Sequence, residues 1–210
     1  YYIQQGGPDW IISIEAENYK ANKPVEGHYW KLTTEEPGFS GKGAMVALPD
    51  RDDEEDDPDY QDSPYVDYRV HFVRTGKHFV WVRGYGVDEG ESCHIDLDKR
   101  ELENCEEMEL DEDEWSWTSE SDEQDHAYFD IKQTGVHTIS LCMGQDGAIV
   151  DAIVLTTNPD YRPEGKGPAE SIGGVMSFVA TQMHYPETAT ERVEIPVTLA
   201  SSVEGRFSVD

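Results

Sequence analysis

Three carboxylates stand inside runs that otherwise read as β-strands. In Ile12-Ser13-Ile14-Glu15-Ala16-Glu17, alternation puts Ile12, Ile14 and Ala16 on one face. Glu15 and Glu17 then share the other face, about 7 Å apart along the strand. In Ile149–Leu155, the same alternation sets Asp151 on the face of Ile149, Ile153 and Leu155. A carboxylate among apolar strand residues is costly unless a cation accompanies it, and neither run contains a Lys or Arg. A calcium ion takes about six to eight hard oxygens and would satisfy Glu15, Glu17 and Asp151 together. Alternatively, Glu15 and Glu17 simply face water beside a sheet edge, and the pattern leaves both readings open.

The second group is aromatic. Trp30, Tyr85, Trp115 and Trp117 lie in or beside stretches rich in Gly and acidic residues, where core side chains are not expected. An exposed indole or phenol ring offers a flat apolar face that stacks on a pyranose ring while polar neighbours bind its hydroxyls. Trp115 and Trp117 are two apart, so in an extended stretch they point the same way, as a sugar platform or as a plug for their loop. Trp10 and Trp81 fall inside strand-like runs and are expected in the core. Chemistry that breaks bonds has little to work with. The chain lacks a Gly-x-Ser-x-Gly elbow, a phosphate-binding loop, a dinucleotide fingerprint and a His-Glu-x-x-His motif, and its seven His are scattered. A non-enzyme is expected. Of three cysteines, Cys93 and Cys105 flank what reads as a hairpin connection and could pair in an oxidising compartment, leaving Cys142 as a small buried apolar residue.

The charge is lopsided: 16 Lys and Arg against 45 Asp and Glu give −29 over 210 residues. Phosphate backbones and anionic membrane surfaces need clustered basic residues, so nucleic acid is excluded as a partner. No apolar run approaches the roughly 20 residues of a membrane-spanning helix. Nine acids lie between Asp50 and Asp62, and thirteen between Glu101 and Asp125. These runs read as solvated loops of a protein from salty surroundings, or as diffuse calcium binders. The start at Tyr1-Tyr2, with no charged-then-apolar leader, reads as a processed, secreted product.

The elements that must hold these groups are strands. Short apolar or alternating runs recur at Trp10–Glu17, Ala44–Leu48, Tyr65–Val73, His78–Tyr85, Cys93–Leu97, Ala127–Ile131, Val136–Cys142 and Ala148–Leu155. Turn signals such as Thr134-Gly135 separate them, and no stretch holds a helical stripe. Strands at this spacing predict an all-β fold, a jelly-roll β-sandwich over residues 1–157. Pro159, Pro163, Gly165, Gly167 and Pro168 mark 158–171 as a linker. Residues 172–210 then carry a three-strand β segment: Val175–Met183, Arg192–Leu199 and Arg206–Val209. Three strands cannot close a sandwich, so the segment is expected to pair with something else, such as a neighbouring subunit.

Ile14-Glu15-Ala16-Glu17-Asn18-Tyr19 resembles the first strand of carbohydrate-binding module families 6 and 35. The resemblance continues through Gly38-Phe39-Ser40-Gly41, Tyr65-Val66-Asp67-Tyr68, Phe79-Val80-Trp81-Val82-Arg83, Gly135-Val136-His137-Thr138-Ile139 and Val150–Leu155, covering about residues 10–157. It implies a jelly roll with a structural calcium at Glu15, Glu17 and Asp151. It also implies non-catalytic sugar binding at the loop edge, where Trp30, Trp115 or Trp117, and Asn158 are the matching positions. The acidic stretch 101–125 departs from the family pattern. Val193–Leu199 and Gly205–Asp210 resemble early strands of a Calx-beta domain. Two functions follow: a secreted, calcium-supported lectin-like module that binds a polysaccharide, or a subunit of an extracellular homopolymer, a filament or tube, built by strand exchange through 172–210.

Overall fold

The computed structural model describes residues 1–50, 62–87, 91–100, 102–121 and 126–171, with the backbone of two further strands at Val193–Thr198 and Glu204–Val209. The acidic run at 51–61 and the strand expected at Val175–Met183 lie outside the described residues. In chain order the strands are β1 Tyr2–Ile3, β2 Ile12–Glu15, β3 Ala21–Lys23, β4 Tyr29–Thr33, β5 Ala44–Leu48, β6 Tyr65–Phe72, β7 Gly76–Tyr85 and β8 Ser92–Leu97. There follow β9 Met108–Glu109, β10 Ser116–Thr118, β11 Tyr128–Ile131, β12 Gly135–Met143, β13 Ile149–Thr156, β14 Val193–Thr198 and β15 Glu204–Val209. A single 3-10 turn at Glu103–Cys105 is the only helical element named among the described residues.

The first thirteen strands form two facing sheets, the expected jelly-roll sandwich. One sheet runs β1-β6-β12-β8-β9, with β3 also on β6. The other runs β10-β7-β13-β5-β4, with β11 also on β7 and β2 on β13. Alternation explains the pairing: Val66, Tyr68, Val70 and Phe72 of β6 turn inward to meet Ile12 and Ile14 of β2 and Val80 and Val82 of β7 in one core. The turns between β6 and β7 and between β11 and β12 use Gly76 at φ 103 and Gly135 at φ 125, conformations open to glycine at no steric cost. β14 and β15 form a separate two-stranded antiparallel sheet.

The chain divides into two compact units, Tyr2–Ser171 and Ile172–Asp210 with Tyr1. Residues 158–171, expected to be a linker, are instead a strap bound to the sandwich. Ser171 N donates to Ser13 O (2.8 Å), Ser13 Oγ to Pro168 O (3.0 Å), and Tyr2 Oη to Glu170 (2.8 Å). The Pro and Gly residues there stop regular pairing without stopping hydrogen bonding, because side chains and scattered backbone groups supply the partners.

Two expectations about facing need correction. β13 carries a bulge between Val150 and Ala152, where its pairing with β7 slips. The extra residue reverses the alternation, so Val150, Ile153 and Leu155 enter the core, while Asp151 points to the outer side. Trp30 belongs to β4, is 2% exposed and packs within the core, its indole N–H donating to Pro64 O at 3.0 Å. It is no sugar platform in this structure: its strand neighbours Lys31 and Leu32 take the solvent instead.

Candidate functional site

The outer face of the second sheet is built on β7. With Val80 and Val82 turned inward, the intervening Phe79, Trp81, Arg83 and Tyr85 form one outward stripe. Register adds neighbours to it: Trp117 of β10 lies opposite Arg83, and Tyr128 of β11 opposite Phe79. The strap then crosses this stripe. Arg162 lies over the Trp81 ring at 5.0 Å, and Gly165 O accepts from Arg83 Nε (2.9 Å) and Trp117 Nε1 (3.0 Å). Gly167, at φ 80, packs on the Trp117 ring so closely that a Cβ there would come within 2.6 Å of it.

Between strap and strands lies a groove of about 710 Å³. Trp81, Trp117, His126 and Arg162 line it together with Thr118, Ser119 and Ser121, and Glu107, Glu109, Asp111 and Glu120 add carboxylates. Arg162 donates through Nη1 to Pro159 O (2.8 Å) and Tyr161 O (2.9 Å), and through Nη2 to His126 Nε2 (3.2 Å). The last bond needs Nε2 as acceptor, which leaves the imidazole proton on Nδ1. Ser119 is 2% exposed and its hydroxyl has no hydrogen-bond partner; the buried hydroxyl of Ser121 has none either. Such orphaned groups are rare in folded proteins and call for a bound partner, water or ligand.

The expected sugar contacts are thus separated. Trp117 stands in the groove. Tyr85 and Trp115 pair with each other beside it, ring centres 5.5 Å apart, with Arg83 at 4.9 Å from the Trp115 ring. Tyr85 Oη donates to Asp113 (3.0 Å), and Trp115 Nε1 to Pro37 O (3.3 Å). Asn158 is a turn former: its amide donates to Asp9 at 2.6 Å and its Oδ1 accepts from Asp160 N at 3.0 Å. Both its amide nitrogen and its amide oxygen are engaged in the turn, and it lies outside the groove lining. Trp81, His126, Arg162 and Ser119 were missed by sequence reasoning. The signal for Trp81 was present, since it stands four residues from Tyr85 in one strand and therefore on the same face.

At the other end of the stripe the three carboxylates converge on the Gly38–Lys42 loop. Ser40 Oγ donates to Glu15 Oε2 (2.5 Å) and lies 3.1 Å from Asp151 Oδ2, Ser40 N donates to Asp151 Oδ1 (2.8 Å), and Lys42 N donates to Glu17 Oε1 (2.8 Å). The expectation that Asp151 lacks a cation fails: Arg83 Nη1 meets its Oδ2 at 2.6 Å, from the strand next door. Glu15 and Glu17 have no such partner. Glu17 Oε2 is buried and unbonded. Burial first, then the negative charges of Asp151 and Glu17, push the Glu15 carboxyl above its usual value against the lowering bond from Ser40. Gly41, at φ 56, leaves Glu17 Oε1 and Glu15 Oε2 the space that a Cβ would fill. Among the described residues no three acidic, His or Cys side chains close into a metal shell.

The disulfide expectation also fails here. Cys93, Cys105 and Cys142 are all free and buried. Cys105 Sγ faces Tyr128 O at 3.7 Å, and burial pushes the Cys93 and Cys105 thiols up to about 12, so they are inert packing groups.

A profile of the glycosyl hydrolase family 115 C-terminal domain matches residues 7–170. The chain belongs to that family. The match covers the sandwich and strap of this family-115 C-terminal domain and does not reach the segment resembling Calx-beta. A relative in Formosa agariphila, uncharacterized protein P23, is 26% identical over 193 residues, covering 76% of this chain and 47% of that protein. The chain therefore spans about half the length of that curated relative. Among solved structures, the family 35 carbohydrate-binding module of Paenibacillus barcinonensis is 18% identical with a TM-score of 0.50, covering 70% of this chain and 98% of that one. The GH26-CBM35 β-(1,4)-mannanase of Podospora anserina is 15% identical with a TM-score of 0.48, covering 73% and 30%. The family 35 module carries the fold of this domain, as the Ile14–Tyr19 resemblance implied.

Proposed function

We propose that this chain is a non-catalytic, secreted glycan-binding module, and that a sugar binds in the groove against Trp117. The observation that carries this reading is the conjunction of two indoles, Trp117 and Trp81, with the orphaned hydroxyl of Ser119 in one open groove. A ring face and an unsatisfied hydroxyl are what a pyranose uses. The carbohydrate-binding modules that share the fold support the same reading. Trp117→Ala is expected to abolish binding to a panel of polysaccharides in affinity electrophoresis without unfolding the protein. Trp30→Ala is expected to cost about 3–5 kcal/mol of stability instead, as a core truncation does. Retained binding in a folded Trp117→Ala protein would defeat the proposal.

Calcium belongs to this reading as a structural ion at Glu15 and Glu17, where the unbonded Glu17 Oε2 and the shortage of cations favour it. Asp151 joins only by sharing itself with Arg83. An ion bound by the native state alone adds stability by mass action, so a chelator is expected to lower Tm and added calcium to restore it. The double variant E15Q/E17Q should lose that response. A melting curve indifferent to chelator, with no metal in the untreated protein, would remove the ion.

A second reading, assembly into a homopolymer, is favoured by one feature. β14 and β15 form a sheet of their own in the strand pairing, and a sheet edge is a template for a strand of a neighbouring chain. Light scattering of the chain with and without residues 172–210 tests it; unchanged particle size after the cut would end it.

A further inference from the structure

We infer that the groove selects glycans carrying a protonated primary amine, that is, sugars with a free amino group rather than acetylated, uronic or sulfated ones. This rests on the glycan-binding reading above and goes further, to the chemistry of the ligand. Met108 and Leu110 are buried in the core, so Glu109 and Asp111, at alternate positions, are turned outward about 7 Å apart, and Glu107 lines the groove beside them. Glu120 joins them from the run after β10. Glu109, Asp111 and Glu120 are exposed and take part in none of the ion pairs among the described residues. They line the same groove as the buried, unpartnered Ser119 hydroxyl, which independently marks the groove as awaiting a polar ligand.

Among the described residues, Arg162 is the only Lys or Arg lining the groove. Its guanidinium already donates to Pro159 O, Tyr161 O and His126 and lies on the Trp81 ring. Those bonds use both Nη1 hydrogens and one on Nη2, so a carboxylate or sulfate could reach only the remaining Nε and Nη2 donors while facing the acidic row. An ammonium group has the opposite fate. It forms charge-assisted hydrogen bonds with those carboxylates, roughly twice as strong as neutral ones, while the sugar ring stacks on Trp117. A neutral acetamido group keeps the stacking and loses the charge.

The test is calorimetric titration of the whole chain with short trisaccharides of glucosamine, N-acetylglucosamine and galacturonic acid at mildly acidic pH. The glucosamine trisaccharide is expected to bind at least about tenfold tighter than the acetylated one, with the advantage shrinking as salt is raised. The triple variant E109Q/D111N/E120Q should erase the advantage, so that the amine and the acetylated sugar bind alike. A control, E26Q/E35Q/E103Q, removes as many exposed charges elsewhere and should preserve it. Uronic or acetylated sugar binding as tightly as the amine would overturn the inference while leaving glycan binding intact. So would equal loss in the control variant, which would trace the preference to the overall charge of −29. Failure of all three sugars, with Trp117→Ala indistinguishable from the parent, would remove the underlying reading itself.

Discussion

The two sheets present very different outer faces. On the first, the polar side chains that alternate with the core are paired among themselves. Ser140 Oγ donates to Asp67 (2.9 Å), Lys99 bridges to the same carboxylate and covers the Tyr65 ring, and Glu107 N donates to His94 Nδ1 (3.0 Å). Cys142 Sγ donates to Asp96 at 3.6 Å. On the second, the stripe of Phe79, Trp81, Arg83 and Tyr85 is dominated by rings, and Ser119 and Glu17 are left with unpaired oxygens. Alternation supplies both outer faces, joined on the second by the bulge that turns Asp151 outward. A face whose polar groups satisfy one another contributes stability, whereas orphaned oxygens such as those of Ser119 and Glu17 are where a partner from outside the chain would be accommodated.

One ion pair of the second face belongs to stability, and breaking it gives the largest expected effect. Asp151 is fully buried and Arg83 nearly so. Asp151→Ala leaves an uncompensated buried guanidinium and is expected to cost about 3–5 kcal/mol in chelator-treated protein by denaturant unfolding. Adding Arg83→Met removes the orphan and should return most of that loss. If the double variant were as unstable as the single one, Asp151 would be acting through something other than Arg83, and the pair would join the unfinished part of this face.

On the first face the sharpest test is pH. Burial lowers His94 from its ordinary 6.5 to about 4, and its Nδ1 accepts from Glu107 N, a bond that uses the neutral ring. The unfolded chain thus binds a proton between those values that the native chain refuses. Stability contributed by the neutral ring is complete above pH 6.5 and is lost as pH falls toward 4, by about 3 kcal/mol in all. His94→Gln keeps an acceptor and does not titrate, so the stability difference between parent and variant should change with that slope. A flat difference across this range would mean that His94 protonates freely and that the first face is less closed than its hydrogen bonds indicate.

The sequence carried eight of the thirteen sandwich strands, because each has alternation or an apolar run bounded by turn residues, and with them the sandwich. It also carried the facing of Glu15, since β2 is regular, whereas Glu17 lies in the turn that follows β2. It misled at Asp151 because a one-residue bulge leaves no mark when the residues on both sides of it, Ile149, Val150, Ile153 and Val154, are all apolar and all buried. Short strands were invisible for a different reason. β4 buries only Trp30 while Tyr29 and Leu32 are exposed, and β10 has three half-buried residues; neither has enough periodicity to read. The groove was hidden because its walls come from β7, from 107–121 and from the strap, and only long-range folding brings Arg162 over Trp81.

The smallest expected effect separates the faces most finely. Ser140→Ala, on the first face, removes a hydroxyl that donates to Asp67, and should cost about 1 kcal/mol. Ser119→Ala, on the second, removes a buried hydroxyl that donates to nothing. The native state loses no bond there and is spared the desolvation of an unpaired oxygen, so stability without ligand should stay within about 0.5 kcal/mol of the parent or rise slightly. The same variant should weaken sugar binding several-fold, because the hydroxyl finds its partner only in the complex. Equal costs for the two serines would mean that Ser119 already has a partner within the fold. Equal affinity of Ser119→Ala and the parent would mean that the sugar lies against Trp117 without reaching the groove floor.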